Sequence, residues 1–293
     1  MADNIQDIPI SQLTSKQKLD GGIYIVATPI GNMKDITIRA LEILQNADLI
    51  VCEDTRVTNK LLSHYGIKKP MAIYNDHSLE RDRRKIISKA ESGEAVAVVS
   101  DAGTPLISDP GYKLVKDARE RGVYVTCLPG ASSVTSALVL SALPSDSFYF
   151  AGFLPTRSGS KENFMKEFLS IKTSLVFMDR NSRLESSIKV IDSVFSGAEI
   201  SIIREITKTF EEARNGSAQE LLSYYEKNGL PKGEIVIVVD TRKSEVFSED
   251  NIDDMLHTLM ENIPLKQAVD EVVQKTGKKK KIIYSRALEI KDS

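Results

Sequence analysis

Short, continuous apolar runs alternate with amphipathic stretches over residues 22–142, and this alternation constrains the fold more than any other feature. The runs include "GIYIVAT", "DLIVCED", "AVAVVS" and "VYVTCLPG". They are apolar throughout rather than at every second position, which is typical of strands buried on both faces. In "DITIRALEILQNA", Asp35 is predicted to cap a helix that has Ile38, Leu41 and Leu44 on one apolar face. The sequence therefore predicts a mostly parallel sheet covered by helices on both faces.

The pattern changes at "SALPSDS", residues 141–147, where a second α/β unit begins. Its strand candidates are less uniformly apolar, which favours a mixed sheet. The end of the chain has helical spacing, and four lysines follow Gly277, an arrangement that resembles a helix-turn-helix. We expect an N-terminal arm, two α/β domains and a small C-terminal helical unit, with limits at residues 1–20, 21–143, 144–243 and 244–293.

Composition and charge argue against several classes of protein. The net charge is −2, so any nucleic-acid binding must come from local patches. No apolar run approaches the roughly 20 residues of a membrane span, and no secretory signal precedes the first strand, so we expect a cytoplasmic protein without a membrane partner. Cys52 and Cys127 lie in apolar runs and are expected to be buried, reduced thiols. Three scattered histidines predict no metal site.

Three strand ends carry unusual loops: "ATPIGN", residues 27–32; "CEDTR", residues 52–56; and "SDAGTPLISDPG", residues 100–111. Ligands of open α/β sheets bind beyond the carboxyl ends of strands. In the third loop Gly103 allows close backbone approach, and its prolines keep polar backbone groups out of regular structure. The alternatives are a simple turn for the first loop and a helix cap by Asp54 or Thr55 for the second. No strand is followed by G-x-G-x-x-G, which argues against a nucleotide-dependent dehydrogenase.

Seven segments then occur in order: "GGIYIVATPIGNMKDITIRALEIL", "LIVCEDTR", "VVSDAGTPLISDPG", "LPGASSVTSAL", "AGFLP", "REITKTFEE" and "KGEIVIVV". Together they closely resemble the tetrapyrrole-methylase superfamily and, within it, the branch that methylates ribosomal RNA. The resemblance covers about residues 21–290. It implies two α/β domains with S-adenosylmethionine (SAM) in the cleft between them, a homodimer, and methylation of a cytidine ribose 2′-hydroxyl in the decoding region of 16S rRNA in the small ribosomal subunit.

The resemblance also implies a set of cofactor-binding residues. These are Pro29, Gly31, Asp101, Ala102, Gly103, Thr104, Ile107, Ser108, Pro129, Gly130, Ala131, Met178, Gly233, Glu234 and Ile235. One segment departs from the family pattern, which usually has an aromatic-Glu-Ser-Pro-His-Arg-like run after the second strand of the second domain. Here "FMDRNSRL", residues 177–184, has the shorter acid Asp179 and keeps Arg183.

Removal of the hydroxyl proton needs a positioned base, or a lysine that stabilises the developing alkoxide. The candidates are the strand-end acids Glu53 and Asp54, the Asp76–His77 pair and the "REITKTFEE" segment. We predict Asp54 or Glu205 as the proton acceptor, with Lys208 as electrostatic support.

Phosphate contacts are predicted for Arg56, His77, Lys278, Lys279, Lys280 and Lys281. A capping or hydrogen-bonding role is the alternative for His77. The cationic run at residues 81–85 could also contact phosphates, and a solvated helix face is the alternative for that run.

Two other functions stay open at this point. One is methylation of a tetrapyrrole or another small molecule by the same fold. The C-terminal lysines and the "SDAGTP" loop favour RNA over this alternative. The other is a non-catalytic RNA-binding assembly protein, which only the departure at residues 177–184 supports.

Overall fold

The structure, a computed structural model, describes residues 17–242, 249–276 and 280–292. It divides into two compact units. The first runs to Ser136 and includes Ile206–Thr209, and the second holds Ala137–Glu205 and the chain from Phe210 onward. The domain limits expected from the sequence stay predictions. Most of the expected N-terminal arm lies outside the described residues, as do Gly277, Lys278 and Lys279.

The first unit contains a five-stranded sheet in the order β3-β2-β4-β1-β5, and all of its neighbouring strands are parallel. Its strands are β1 (Gly22–Val26), β2 (Leu49–Cys52), β3 (Met71–Ile73), β4 (Ala95–Val99) and β5 (Val125–Leu128). Every residue of β1, β2 and β4 is buried. This confirms the parallel sheet predicted from the continuous apolar runs.

Helices cover both faces of this sheet. They are α1 (Ile38–Asn46), α2 (Thr55–His64), α3 (Glu80–Glu91) and α4 (Tyr112–Glu120), while α5 (Ser133–Ser141) crosses the division between the units. One apolar cluster packs Val26 and Ile50 against Leu44 of α1. A second cluster packs Ile25 against Ile87 of α3 and Leu114 of α4. Alternate residues of one strand thus enter opposite clusters, as expected for a sheet with two covered faces.

Three local predictions in this unit are wrong. Thr37, not Asp35, caps α1, because its hydroxyl accepts a hydrogen bond from the amide of Ala40 at 3.1 Å. Ile38 is 55% exposed because it begins the helix outside the apolar face that Leu41 and Leu44 form. Cys127 is exposed because it lies on β5 at the edge of the sheet, whereas Cys52 is buried as expected.

The second unit has a five-stranded sheet in the order β6-β7-β10-β8-β9. Its strands are β6 (Phe148–Phe153), β7 (Ser174–Arg180), β8 (Glu199–Arg204), β9 (Glu212–Gly216) and β10 (Glu234–Asp240). Only β6 and β7 pair in parallel, which confirms the predicted mixed sheet. The helices α6 (Ser158–Lys166), α7 (Leu184–Val194) and α8 (Ala218–Asn228) contribute to one apolar core with these strands.

The described residues from 249 onward form three helices: α9 (Glu249–Met260), α10 (Leu265–Thr276) and α11 (Lys280–Asp292). Leu256, Val269 and Ile283, one from each helix, meet in a small apolar cluster. The Arg286 guanidinium of α11 bonds the Asp253 carboxylate of α9 at 2.6 and 2.8 Å. Within the described ranges, every helix is too short or too polar to cross a membrane.

Candidate functional site

Three loops meet at the carboxyl edge of the first sheet. Thr28 and Gly103 exchange backbone hydrogen bonds of 2.9 and 3.0 Å, which joins the loop after β1 to the loop after β4. The Thr104 hydroxyl donates to the Ala131 carbonyl at 3.2 Å, which joins the loop after β4 to the loop after β5. The predicted cofactor residues of the first unit therefore share one edge of one sheet, although they are up to a hundred positions apart.

Glycines permit this close assembly at two positions. Gly103 has φ +80°, a left-handed conformation that strains any residue with a Cβ. A Cβ on Gly130 would lie 2.8 Å from the Ala27 Cβ, closer than packed carbons tolerate. Asp101, Ala102 and Pro129 beside them are exposed. The edge thus presents open backbone groups that a ligand can contact.

The end of the long loop is strained. Leu106 and Ser108 have φ values of +75° and +64° although neither is glycine. Such conformations cost of order 1 kcal/mol each and concentrate at functional sites. Ile107 between them is 49% exposed. This geometry agrees with a loop shaped to meet a ligand.

Four carboxylates gather beside these loops, and Glu53, which follows β2, is the most perturbed. Burial, and then the charges of Asp109, Asp101 and Asp76, raise the pKa of Glu53 to about 7, although a hydrogen bond from the Asp101 backbone opposes the shift. Burial also raises the pKa of Asp101 and of Asp109. Sequence reasoning weighed Glu53 but preferred its neighbour. Nothing in the sequence showed that the later loop brings Asp101 and Asp109 against it.

Asp54 is held in a different way. It is the N-cap of α2, and its carboxylate accepts from the Arg56 backbone amide at 2.8 Å and from the Arg56 Nη2 at 2.6 Å. These bonds lower the pKa of Asp54 to about 2. The helix cap weighed as an alternative is thus present, and a carboxylate of this acidity is a weak proton acceptor near neutral pH.

The other two predicted catalytic residues fall in different units. Lys208 belongs to the first unit, where its Cγ lies 2.6 Å from the point a Cβ on Gly31 would occupy. Glu205 belongs to the second unit, where its carboxylate accepts from the Glu234 amide at 3.3 Å and fills the space beside Gly233. Met178 and Ile235 lie on β7 and β10 of that unit. Their contribution to a cofactor site stays a prediction.

The predicted RNA-contacting residues are spread over both units. The Arg56 side chain is 87% exposed. His77 is exposed and does not cap α3, which begins at Glu80 after Leu79, so the capping alternative is wrong. At the start of α11, Lys280 pairs with Asp270 and Lys281 is exposed.

The unusual "FMDRNSRL" segment contains a buried ionic network in the second unit. The side chains of Asp179 and Lys161 are both fully buried, and their charged atoms lie 3.7 Å apart. The Lys161 ammonium donates to the Ser187 hydroxyl at 2.6 Å, and that hydroxyl donates to Asp179. Arg183 donates from its Nε to Asp179 at 2.7 Å. The shorter acid therefore fits a packed core network, since it is enclosed by three partners.

Comparison with known proteins agrees with this architecture. The family model described as Tetrapyrrole (Corrin/Porphyrin) Methylases matches residues 22–222, and one described as RsmI C-terminal HTH domain matches residues 246–291. Among curated proteins, "Ribosomal RNA small subunit methyltransferase I" of Erythrobacter litoralis is 46% identical over 94% of this chain and 98% of its own length. The protein of the same name from Escherichia coli O157:H7 is 40% identical over 96% and 99%.

Two solved structures share the fold at low sequence identity. Diphthine synthase superposes with a TM-score of 0.58 at 19% identity, covering 74% of this chain and 89% of that one. Uroporphyrin-III-C-methyltransferase from Thermus thermophilus gives a TM-score of 0.52 at 20% identity, covering 76% and 96%.

Proposed function

The chain belongs to the tetrapyrrole (corrin/porphyrin) methylase family, and from this premise we propose that it methylates 16S rRNA of the small ribosomal subunit with SAM as methyl donor. One observation carries the proposal: relatives named as ribosomal RNA small subunit methyltransferase I align with nearly the whole chain, including its C-terminal helices. The cytoplasm is the compartment that such a substrate implies.

The edge formed by the three loops fits SAM, which supplies an activated methyl group when bound. Gly103 and Gly130 leave room where a Cβ would strain or collide, and the backbone around Asp101 is open. Backbone amides and carbonyls suit a ligand that carries an adenine ring and an amino-acid end. We assign Pro29, Gly31, Asp101–Thr104, Ile107, Ser108 and Pro129–Ala131 to this role.

Replacing Gly103 with alanine is expected to weaken SAM binding at least tenfold. The added Cβ strains a left-handed residue and shifts the loop that joins Thr28 to Ala131. Isothermal titration calorimetry measures the effect. Gly122→Ala is the matched control, because Gly122 has a similar φ of +73° but has open space around its Cβ position in the turn before β5. Equal SAM affinity in the two variants would contradict the assignment.

Glu53 is the residue we assign as proton acceptor for the ribose hydroxyl, in place of Asp54. It follows β2 at the same sheet edge and contacts the backbone of Asp101, whereas the Asp54 carboxylate is engaged by Arg56. A base is most effective when its pKa lies near the working pH. Lys208, which lies against Gly31 in the same unit, keeps its proposed role of stabilising the developing negative charge. Glu205 stays a prediction.

The finer proposal is that the methyl group goes to the ribose 2′-hydroxyl of a cytidine in the decoding region. The decisive experiment transfers labelled methyl from SAM to small subunits from an unmethylated strain and then maps the modified nucleotide. We expect one ribose-methylated cytidine. Label on a base would refute the 2′-O assignment, and label on a tetrapyrrole but not on RNA would favour the small-molecule alternative. SAM binding without any transfer would favour the non-catalytic alternative.

Phosphate contacts by Arg56, His77 and Lys278–Lys281 are retained as part of this proposal. Exposed cations such as Arg56 and Lys281 can position RNA without reading its sequence. The homodimer is likewise retained as a proposal, and sedimentation analysis tests it.

A further inference from the structure

A cavity of about 460 Å³ lies in the second unit, between the start of β9 and the end of α8. None of its lining residues belongs to the predicted cofactor set. Its volume falls within the range of roughly 300–1,000 Å³ that small-ligand sites usually have. The family motif "REITKTFEE" contributes Arg204, Phe210 and Glu212 to its wall, and the proposed methyl transfer uses none of these three.

The wall of the cavity includes aromatic rings on which a planar ligand group can stack. Phe210 is 68% exposed, a large apolar surface to leave in water. Tyr224 is fixed by Arg214, whose guanidinium carbon lies 3.5 Å from the centre of its ring. The turn before Phe210 is strained, since Glu205 and Thr207 have φ values of +48° and +65°. The protein thus holds an exposed ring at the end of a constrained turn.

A tyrosine in the wall supplies a polar group. Tyr225 lines the cavity, and the residue as a whole is 8% exposed. Burial raises the pKa of Tyr225 to about 12, so the group stays a neutral donor. A phenolic hydroxyl in a cavity wall can donate a hydrogen bond to an acceptor on a ligand.

The charges of the cavity favour an anion. Glu212 is held by two arginines, since it accepts from Arg204 at 2.9 Å and from Arg214 at 2.6 Å. Together these three side chains carry one net positive charge. Lys232 adds an exposed cation to the lining. A ligand with an aromatic face, a hydrogen-bond acceptor and a phosphate would complement these groups.

We propose that this cavity binds an unpaired nucleotide of the RNA substrate, with its base stacked on Phe210 and its phosphate facing Lys232. The inference rests on the proposed function, and it adds a second RNA contact that is distinct from the C-terminal lysines. Stacking on aromatic side chains accepts any base, so the site would hold the strand without selecting its sequence.

The test measures binding of a short fluorescein-labelled oligocytidylate by anisotropy, together with methyl transfer to small subunits. Phe210→Ala is expected to raise the Kd at least fivefold, and Phe210→Tyr should restore it because the ring remains. Lys232→Gln should lower the slope of log Kd against log salt by about one unit.

In methyl-transfer assays both substitutions should raise the KM for small subunits and leave kcat and SAM affinity unchanged. Phe148→Ala and Lys227→Gln remove an exposed phenylalanine and lysine outside the cavity lining, and are expected to behave as wild type.

The outcomes separate the two proposals. If wild-type protein methylates subunits but Phe210→Ala and Lys232→Gln bind RNA as it does, the nucleotide site is refuted and the proposed function stands. If Phe210→Ala changes only the sedimentation mass, the cavity instead receives a second copy of the chain. Failure of wild-type protein to methylate RNA refutes the proposed function itself.

Discussion

Replacing Asp179 with asparagine is expected to lower the free energy of unfolding by about 3–5 kcal/mol, because it leaves the buried ammonium of Lys161 without a carboxylate. The change keeps the shape of the side chain, so the loss reports charge rather than volume. Burial already lowers the pKa of Lys161 from 10.5, and Asp179 opposes that shift. The chain has no tryptophan, so circular dichroism in a urea titration is the appropriate measurement.

The pH dependence of this loss has a definite sign. Without Asp179, the folded state favours neutral Lys161, while the unfolded chain holds its proton up to about pH 10.5. A group whose folded pKa is depressed binds fewer protons in the folded state, so stability rises with pH. We therefore expect Asp179→Asn to lose most stability near neutral pH and to regain part of it toward pH 10.

Two further variants isolate the buried pair. In Lys161→Met/Asp179→Asn the fully buried cation is gone and only the partly exposed Arg183 lacks its carboxylate, so at least half of the lost stability should return. Glu185→Gln breaks the exposed pair with Lys189, whose side chains are 57% and 61% exposed, and should change stability by less than about 0.5 kcal/mol. Equal losses in Glu185→Gln and Asp179→Asn would contradict the assigned role of the network.

The same network shows what the sequence could not reveal. The resemblance identified residues 177–184 as a departure from the family pattern, with Asp179 as a shortened acid. The structure shows that Asp179 meets Lys161 of α6 and Ser187 of α7. Neither partner is adjacent to it in sequence, so no local pattern predicts the pairing.

The first sheet was predictable for a physical reason. Strands such as β1 and β4 are buried on both faces, so every position must be apolar, and the continuous runs mark them directly. Helix starts were harder to predict, because both Asp35 and Thr37 are good caps and only the bond from Ala40 decides between them. The side-chain environment of the strand-end acids was not predictable either, since it depends on a loop about fifty residues later.

Replacing Glu53 with glutamine is expected to lower kcat at least 100-fold, because general-base assistance typically contributes factors of 10²–10⁴. Wild-type turnover should fall as pH drops through about 7, where Glu53 becomes protonated. The residual activity of the variant should not show this fall at low pH. Single-turnover methyl transfer across pH 5.5–9 measures both effects, with SAM affinity measured in parallel to exclude a cofactor defect. Asp54→Asn is the matched control. Its turnover should still fall as pH drops through about 7, because the pKa of Asp54 is about 2.

Stability supplies an independent check on Glu53, with the opposite sign to activity. Its folded pKa is raised from 4.5 to about 7, so the native state binds the extra proton and wild-type stability falls as pH rises through that window. Above pH 7 the glutamine variant should therefore be more stable than wild type, by about 1–2 kcal/mol once partial solvent exposure is allowed for. Enhanced stability with lost turnover is expected of a carboxylate kept for catalysis. Lost turnover together with lost stability would instead assign Glu53 a structural role and return Glu205 as the main candidate for the base.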